Sequence, residues 1–291
     1  MLRSILLCST LICCGPVQAF AQGAQLPVQY EELSAPEFVQ ALKASQATCI
    51  IPCGVLEKHG THLPLGTDLL AARELAVRAA RREYAVVFPP YFFGQIFEAR
   101  HQPGTIAYSE TLLWQVLQET CDELARNGFS KILLVSGHGG NTNFMTYFCQ
   151  AQLAKRRDYA VFLYQGPAGP DPELQKLRKS SWGMHAEEME TSNMMAIRPE
   201  LAHPERAGQE SGANQQRLEL PGLYTGIWWY AAFPNHYAGD ASVASKQLGE
   251  LALEKGVAAL AKTLKVLKQD TATLALQKEF FDRSEAPSGQ K

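Results

Sequence analysis

The sequence has no run of like charges, no heptad series and no internal repeat, so coiled-coil and repeat architectures have no support in it. Its 27 Lys and Arg residues are nearly balanced by 29 Asp and Glu residues, which gives a formal net charge of −2. Proteins that bind nucleic acid generally show a basic excess or a basic stripe. The missing basic excess therefore argues against a general nucleic-acid binder.

Long apolar segments are also missing beyond the N-terminus, so no membrane span is predicted there. Arg3 precedes an apolar run from Ile5 to Cys14, and small residues follow it up to Ala24. This run is shorter than the ~20 residues that a membrane-spanning helix needs. A basic start, a short apolar stretch and small residues are typical of a secretory signal. We expect residues 1–23 to be a signal peptide and the mature protein to be periplasmic or secreted, with no membrane anchor; a buried N-terminal strand is the alternative.

Cysteines are few, and removal of the signal peptide leaves four of the seven, at Cys49, Cys53, Cys121 and Cys149. Cys49 and Cys53 share one predicted strand, where a rise of ~3.3 Å per residue places them too far apart to bridge. An exporting compartment permits disulfides, but buried free thiols are the prediction for this set.

Apolar, β-branched segments alternate with amphipathic helical segments through residues 24–270. Predicted strands cover 47–55, 84–88, 131–136 and 159–164, and predicted helices cover 67–82, 109–126, 141–157, 187–197 and 245–267. Strands that are apolar nearly throughout indicate a mostly parallel sheet with helices on both faces. We therefore predict one layered α/β/α domain over residues 24–270, followed by a polar tail over 271–291. Ligands of such sheets bind at the carboxyl ends of the strands.

The loop after the first predicted strand is rich in residues that bind metals. Glu57, His59, His62 and Asp68 all fall within it, and their oxygen and nitrogen donors suit divalent ions. Glu57 and His59 are two residues apart, so in an extended segment both side chains face the same side. Asp68 begins the next helix, where a carboxylate can instead accept hydrogen bonds from backbone N–H groups. That alternative is open for Asp68 alone, but the cluster favours a metal site.

A second candidate segment, Ser136 to Asn141 (SGHGGN), follows the predicted strand 131–136. The glycines around His138 let the backbone approach another group closely. A glycine-rich turn into a helix, of the kind that can bind an anion, is the alternative. Because this segment and the first loop leave the same edge of the sheet, His138 becomes a candidate metal ligand.

The third segment is His185 to Ser192 (HAEEMETS). A helix that begins near Ala186 would place Glu187 and Glu190 on a shared side, three residues apart. Acidic residues are common in the first turn of a helix, so a purely structural role is open for both.

Together, the segments 54–68, 136–141 and 185–192 resemble those of the creatininase (creatinine amidohydrolase) family. Pro103-Gly104-Thr105 and Gly239-Asp240 are similar to two further marks of that family. The resemblance implies a layered α/β fold, two divalent metal ions per subunit and usually a homo-oligomer. No membrane or nucleic-acid partner is implied.

The resemblance also implies roles for individual residues. Glu57 and His138 would bind one metal ion, His59 would bind the other, and Asp68 would bridge the two. The sequence departs from the creatinine-hydrolysing members directly after His138. Those members have Tyr and then Glu, which contact substrate and complete the second metal site, whereas this chain has two glycines.

The pair Gly139-Gly140 has two consequences. The His-Gly-Gly-Asn form resembles other branches of the family, which include deformylases and amide hydrolases of small heterocycles, so creatinine is not the expected substrate. The missing metal ligand must also come from elsewhere in the chain. Glu190 is the prediction, and Glu187 is the alternative.

These residues predict a dinuclear hydrolase that cleaves a C–N bond of a small amide or cyclic amide. Two divalent ions (Zn, Mn or Fe(II), since mixed His and carboxylate ligands suit all three) would bridge a water molecule and lower its pKa towards ~7. The resulting hydroxide would attack the carbonyl carbon, and His185 would donate a proton to the leaving nitrogen. A capping or supporting role is the alternative for His185.

The predicted substrate-contacting residues are Glu98, His101, Gly139 and Trp182, with His62 and His236 as weaker candidates. Two other classes of function remain open. One is a non-catalytic periplasmic small-molecule binder on the same fold. The other is a thiol hydrolase that uses Cys53 or Cys149 with a nearby His.

Overall fold

A computed structural model describes residues 26–167 and 169–289. The predicted signal peptide lies outside these residues. Within them, no helix is both long enough and apolar enough to cross a membrane. The four cysteines in the described part of the chain are free thiols, as predicted.

The central sheet of the described residues has four parallel strands. They are β1 (Thr48–Cys53), β2 (Val86–Val87), β3 (Lys131–Ser136) and β4 (Ala160–Leu163). Their order across the sheet is β2-β1-β3-β4. β1 and β3 pair residue by residue and end together, with Cys53 opposite Ser136. The two loops predicted to carry the chemistry therefore leave the sheet at adjacent points of one edge.

Helices cover both faces of this sheet. In chain order they are α1 (Ala35–Ala44), α2 (Thr67–Arg82), α3 (Glu110–Arg126), α4 (Asn141–Ala151), α5 (Pro172–Leu177), α6 (Glu188–Ile197), α7 (Trp228–Ala232), α8 (Lys246–Gln269) and α9 (Ala272–Ser284). Successive side chains of a strand point to opposite faces, so β1 and β3 supply two cores. Ile50 and Leu133 pack with α2 and α8, whereas Ile51 and Ile132 pack with α3 and α4. The layered α/β/α prediction is confirmed.

A small antiparallel ribbon lies beside the main sheet. It consists of β5 (Gly183–His185) and β6 (Ala238–Gly239), with His185 opposite Ala238. This ribbon could not be predicted from the sequence, because strands of two or three residues are too short to show a period. The ribbon places His185 next to the segment that leads into β6.

Several predicted bounds differ from the structure. α4 ends at Ala151 rather than at residue 157, and the chain continues as a 3₁₀ turn over Gln152–Ala154. Residues 166–181, where no helix or strand is predicted, contain α5. The segment predicted as a polar tail contains α9, whose Phe281 is buried. α5 has only six residues, so it shows little periodicity.

Candidate metal centre

The loop that follows β1 carries two fully buried side chains, Glu57 and His59, to the edge of the sheet. The loop folds back on itself, since the backbone N–H of Glu57 donates to the carbonyl of Leu65 at 3.0 Å. Gly60 has a φ of 59°, in the left-handed region that suits glycine. Oε1 of Glu57 lies 4.0 Å from Nε2 of His59. The two side chains therefore share one side of the loop, as predicted.

Two glycines allow the N-terminus of α2 to pack against the ends of β1 and β3. A Cβ on Gly54 would lie 2.4 Å from the backbone nitrogen of Leu69, and a Cβ on Gly137 would lie 2.3 Å from the carbonyl oxygen of Asp68. A larger residue at either position would force the helix away. The close packing brings Asp68, in the first turn of α2, to the ends of both strands.

Asp68 lies between two groups of side chains. Its Oδ1 is 3.1 Å from Nε2 of His59, and its Oδ2 is 3.1 Å from Nδ1 of His138. His59 presents Nε2 because its Nδ1 donates to the backbone carbonyl of Glu57 at 3.2 Å. The side chain of Asp68 thus faces the two histidines rather than the backbone N–H groups of α2. This geometry does not fit the helix-capping alternative.

Glu57, Asp68 and His138 form the first group, with ligand atoms within 4.8 Å of one another. Oε1 of Glu57 lies 2.8 Å from Nδ1 of His138. Oε1 of Glu57 and Oδ2 of Asp68 are both buried, and although Nδ1 of His138 lies close to each, neither makes a well-aligned hydrogen bond among the described residues. Buried polar atoms are normally paired. Two such oxygens that converge with an imidazole nitrogen fit a divalent cation.

His59, Asp68 and Glu190 form the second group. Oε2 of Glu190 lies 3.9 Å from Nε2 of His59, and it accepts the backbone N–H of Ala186 at 2.5 Å. Glu187 instead has its Oε2 3.5 Å from Nη2 of Arg178. The structure therefore brings Glu190, the predicted residue, into the cluster and leaves out Glu187, the alternative.

The cluster concentrates negative charge in a buried volume. Burial disfavours the charged form of His59, but the carboxylates of Asp68, Glu57 and Glu190 outweigh it and raise the pKa of His59 to about 10. Burial raises the pKa of Glu190 to about 7, although His59 opposes the rise. Both shifts show that positive charge is stabilised here and further negative charge is not. A bound cation would meet the same requirement.

His185, the predicted proton donor, lies at the end of β5 beside the cluster. Its Nε2 donates to the backbone carbonyl of Lys58 at 2.8 Å, and its ring centroid lies 4.3 Å from that of His59. Burial holds the pKa of His185 well below its usual range, so the neutral ring predominates. Because Lys58 occupies Nε2, Nδ1 is the ring atom left for proton exchange. It lies 3.8 Å from Oε2 of Glu190.

A fourth histidine, His236, contacts Glu57 from the segment that leads into β6. Its Nε2 contacts Oε2 of Glu57, and its Nδ1 lies 2.8 Å from Nε1 of Trp229. Sequence analysis ranked His236 only as a weaker pocket residue and did not single out Trp229. Both lie between residues 200 and 242, where no motif or period in the sequence marks them.

A cavity of about 980 Å³ opens over the cluster. Four of the predicted substrate-contacting residues line it, namely Glu98, His101, Gly139 and the weaker candidate His236. Six aromatic side chains that sequence analysis did not assign also line it: Phe97, Phe144, Tyr224, Trp228, Trp229 and Tyr230. The cavity thus places a mainly apolar wall beside a polar, buried cluster.

Two other predicted pocket residues lie elsewhere. Trp182 is not among the residues that line the cavity, so a contact of its side chain with substrate stays a prediction. Its side chain precedes β5, is 46% exposed, and packs with its ring centroid 6.2 Å from that of Phe233. His62 is buried, and its Nε2 donates to the carbonyl of Ala186 at 2.8 Å, which makes it a structural support for the ribbon.

The cysteines are poorly suited to nucleophilic catalysis. Burial raises the pKa of the Cys149 thiol to about 11 and holds that of Cys53 well above its usual range. The thiolate is the reactive form of cysteine. The thiol-hydrolase alternative therefore has no support at these two positions.

Comparison with known proteins shows which family has this arrangement. The family model described as creatininase, creatinine amidohydrolase, matches residues 31–264. The chain belongs to the creatininase family. The match covers the whole central sheet and each of the three segments on which the resemblance rested.

Individual members of the creatininase family are distant from this chain. The creatinine amidohydrolase of Pseudomonas putida is 27% identical over 261 residues, which cover 80% of this chain and 95% of that protein. The mycofactocin precursor peptide peptidase of Mycobacterium ulcerans (strain Agy99) is 29% identical over 194 residues, which cover 64% and 72%. A solved structure of creatinine amidohydrolase (creatininase) aligns with a TM-score of 0.72 at 25% identity, covering 85% of this chain and 100% of that one. The two relatives are named for different substrates, so family membership does not identify the substrate of this amidohydrolase.

Proposed function

We propose that this protein is a metal-dependent amidohydrolase that cleaves a C–N bond of a small amide or cyclic amide. In this proposal Glu57 and His138 would hold one divalent ion, and His59 and Glu190 would hold a second. Asp68 would contribute an oxygen to each. Membership of the creatininase family and the buried cluster of His and carboxylate groups support the proposal.

The strongest support for the proposal is the position of Asp68, whose two oxygens face different histidines, each at 3.1 Å. A carboxylate in this position contacts both groups of side chains at once. Its negative charge offsets the repulsion between two cations that lie close together. A carboxylate with only a structural role would not need a histidine at each of its two oxygens.

The protein's own contribution is to hold the ligand atoms and to move a proton. Divalent ions in these positions would activate a water molecule and polarise the amide carbonyl. His185 moves the proton at Nδ1, because its Nε2–H is committed to the carbonyl of Lys58. In its neutral form it accepts a proton first and then returns it to the leaving nitrogen.

The cavity favours a substrate that extends beyond the reacting amide. Its volume of about 980 Å³ lies at the upper end of the range of ~300–1,000 Å³ for small-molecule sites. The aromatic wall would hold an apolar or flat part of the substrate while the amide lies at the cluster. Glu98 and His101 supply polar groups on the same cavity surface.

Creatinine is not the expected substrate. A Cβ on Gly139 would meet nothing within 4 Å, so this chain has open space after His138. A Cβ on Gly140 would lie 2.4 Å from Nε2 of His138, so a Glu there would require His138 to move. In this proposal Glu190 supplies the second group instead.

Zinc, manganese and iron(II) remain the candidate metals, since His and carboxylate ligands suit each of them. Solved creatininase structures of the same fold include a zinc–zinc form and a manganese form. Metal analysis of protein purified without added metal would identify the ion.

Turnover of a panel of amides by metal-loaded protein tests the proposed function. We expect hydrolysis of a cyclic amide or formamide that carries an aromatic group, little turnover of creatinine, and loss of activity after chelation. Tight binding of such amides with no turnover by metal-loaded protein would favour the non-catalytic binder. Efficient creatinine hydrolysis would show that the two glycines do not determine the substrate.

Homo-oligomerisation also remains a proposal. Leu223, Tyr224 and Ile227 lie near the cavity and are 71%, 81% and 56% exposed, and apolar residues exposed together favour an interface. Sedimentation analysis should show a species larger than one chain. A monomer at micromolar concentration would contradict this expectation.

A further inference from the structure

Two residues outside the proposed ligand set, Trp229 and His236, are joined to Glu57 by hydrogen bonds. Nε1 of Trp229 lies 2.8 Å from Nδ1 of His236, and Nε2 of His236 contacts Oε2 of Glu57. His236 is 1% exposed and Glu57 is completely buried. Water therefore does not compete for the contact between the imidazole and the carboxylate.

The indole fixes the position of the proton on His236. An indole N–H can only donate, so Nδ1 of His236 must be an unprotonated acceptor. The neutral ring then carries its proton on Nε2, which donates to Oε2 of Glu57. Both ring nitrogens are used in these two bonds, so His236 has no lone pair left with which to bind a metal ion.

This arrangement distinguishes the two oxygens of Glu57. Oε2 is held by His236, whereas Oε1 lies 2.8 Å from Nδ1 of His138 without a well-aligned hydrogen bond to it or to any other described residue. A donor that holds one oxygen of a carboxylate sets the orientation of the other. Outer hydrogen bonds of this kind orient metal ligands.

The backbone holds His236 in an uncommon conformation. Its φ is 53°, in the left-handed region that few residues other than glycine adopt. The backbone N–H of His236 donates to the carbonyl of Phe233 at 3.0 Å, which closes a turn after α7 and returns the imidazole to Trp229. Such conformations persist where the surroundings fix them, and they are common at functional sites.

We propose that Trp229 and His236 are positioning residues for Glu57: the indole fixes the tautomer of His236, and His236 turns Oε1 of Glu57 towards the first metal position. The inference rests on the metal site of the proposed function. Because Trp229 also lines the cavity, the hydrogen bonds connect the substrate cavity with a metal ligand.

Zinc affinity of the full chain, measured by competition with a chromophoric chelator, tests this role without reference to turnover. We expect His236→Leu to weaken zinc binding by ~10–100-fold, the usual effect of losing an outer partner of a ligand. His236→Gln should recover most of the affinity, because its amide can donate to Glu57 in place of the imidazole. A role in packing or direct metal binding would not be rescued in this way.

Trp229→Phe removes the indole N–H and retains an aromatic ring, and Trp228→Phe is its matched control on the same helix. We expect weaker zinc binding only in the Trp229 variant. Nitrogen NMR of labelled imidazoles should show His236 protonated at Nε2 in the wild type, with this single tautomer lost in Trp229→Phe. If His236→Leu does not fold, His236→Gln and Trp229→Phe still carry the test.

The positioning role would be overturned by wild-type zinc affinity in both His236→Leu and Trp229→Phe. It would also be overturned by equal losses in the Leu and Gln variants. Wild-type protein that binds no zinc and no manganese would overturn the proposed metal site itself, which separates the failure of that proposal from the failure of this one.

Discussion

Gly137 lies so close to Asp68 that a Cβ atom on the glycine would be 2.3 Å from the backbone carbonyl oxygen of the aspartate. The contact joins the end of β3 to the first turn of α2. It allows a residue of the helix to lie between side chains that come from two strand ends. The position of Asp68 is therefore determined by backbone packing at a glycine, in addition to its own side-chain contacts.

Gly137→Ala should consequently shift α2 and separate the two groups of side chains. We expect a loss of about 1–3 kcal/mol in the free energy of unfolding, the usual cost of overpacking, together with reduced metal content. Denaturant unfolding and metal analysis measure the two effects. Gly139→Ala is the matched control, since a Cβ there would meet nothing within 4 Å. Similar stability and metal content in the two variants would contradict the packing argument.

Glu190 and Glu187 offer a test of which acidic residue completes the second group. Glu190→Gln should lower the metal content and abolish most turnover, because its carboxylate lies 3.9 Å from His59. Glu187→Gln should leave the metal content unchanged, since Glu187 lies beside Arg178. Metal analysis of both variants makes the comparison. Metal loss in the Glu187 variant alone would reverse the assignment.

The parts of the site that lie directly after strands could be predicted from the sequence. Glu57, His59 and His138 follow strands with clear apolar runs, so their place at one sheet edge could be predicted. Asp68 could be placed because α2 has a clear period. Each of these positions depends on contacts that are nearly local in the chain, apart from the pairing of β1 with β3.

His236 and Trp229 could not be predicted in the same way. His236 contacts Glu57 across 179 residues of the chain, and Trp229 is joined to Glu57 only through His236. The contact depends on a turn with positive φ and on a ribbon of two very short strands. Trp182, an aromatic residue near a motif, was predicted to contact substrate, but its ring packs near Phe233 and is not part of the cavity lining. The position of such residues depends on long-range packing.

The compartment of the protein is a separate prediction. The basic start and the apolar run before Ala19 predict export with cleavage between Ala19 and Gly23. Mass spectrometry of the mature protein from its native cell should therefore find an N-terminus near residues 20–25. Protein that retains Met1 in a cytoplasmic fraction would show that this segment is not a signal peptide.

Asp68→Asn distinguishes three roles for the aspartate. Asparagine is nearly isosteric and is a good helix-capping residue, so a capping role predicts little change in stability, metal content or activity. If Asp68 served one ion only, the other ion would stay bound. If it bridges two ions, loss of its charge should weaken both sites together, because the carboxylate offsets the repulsion between the cations.

We expect the third result for Asp68→Asn: a folded protein with metal content well below two ions per chain and almost no turnover. Turnover should be lost because, in the proposed function, activation of the water molecule would require both ions. Metal analysis beside a circular dichroism spectrum measures the outcome. The structure favours bridging, since Oδ1 and Oδ2 of Asp68 face different histidines at equal distances of 3.1 Å. Full metal occupancy with wild-type activity in Asp68→Asn would therefore exclude the bridging role and remove the main support for a two-metal mechanism.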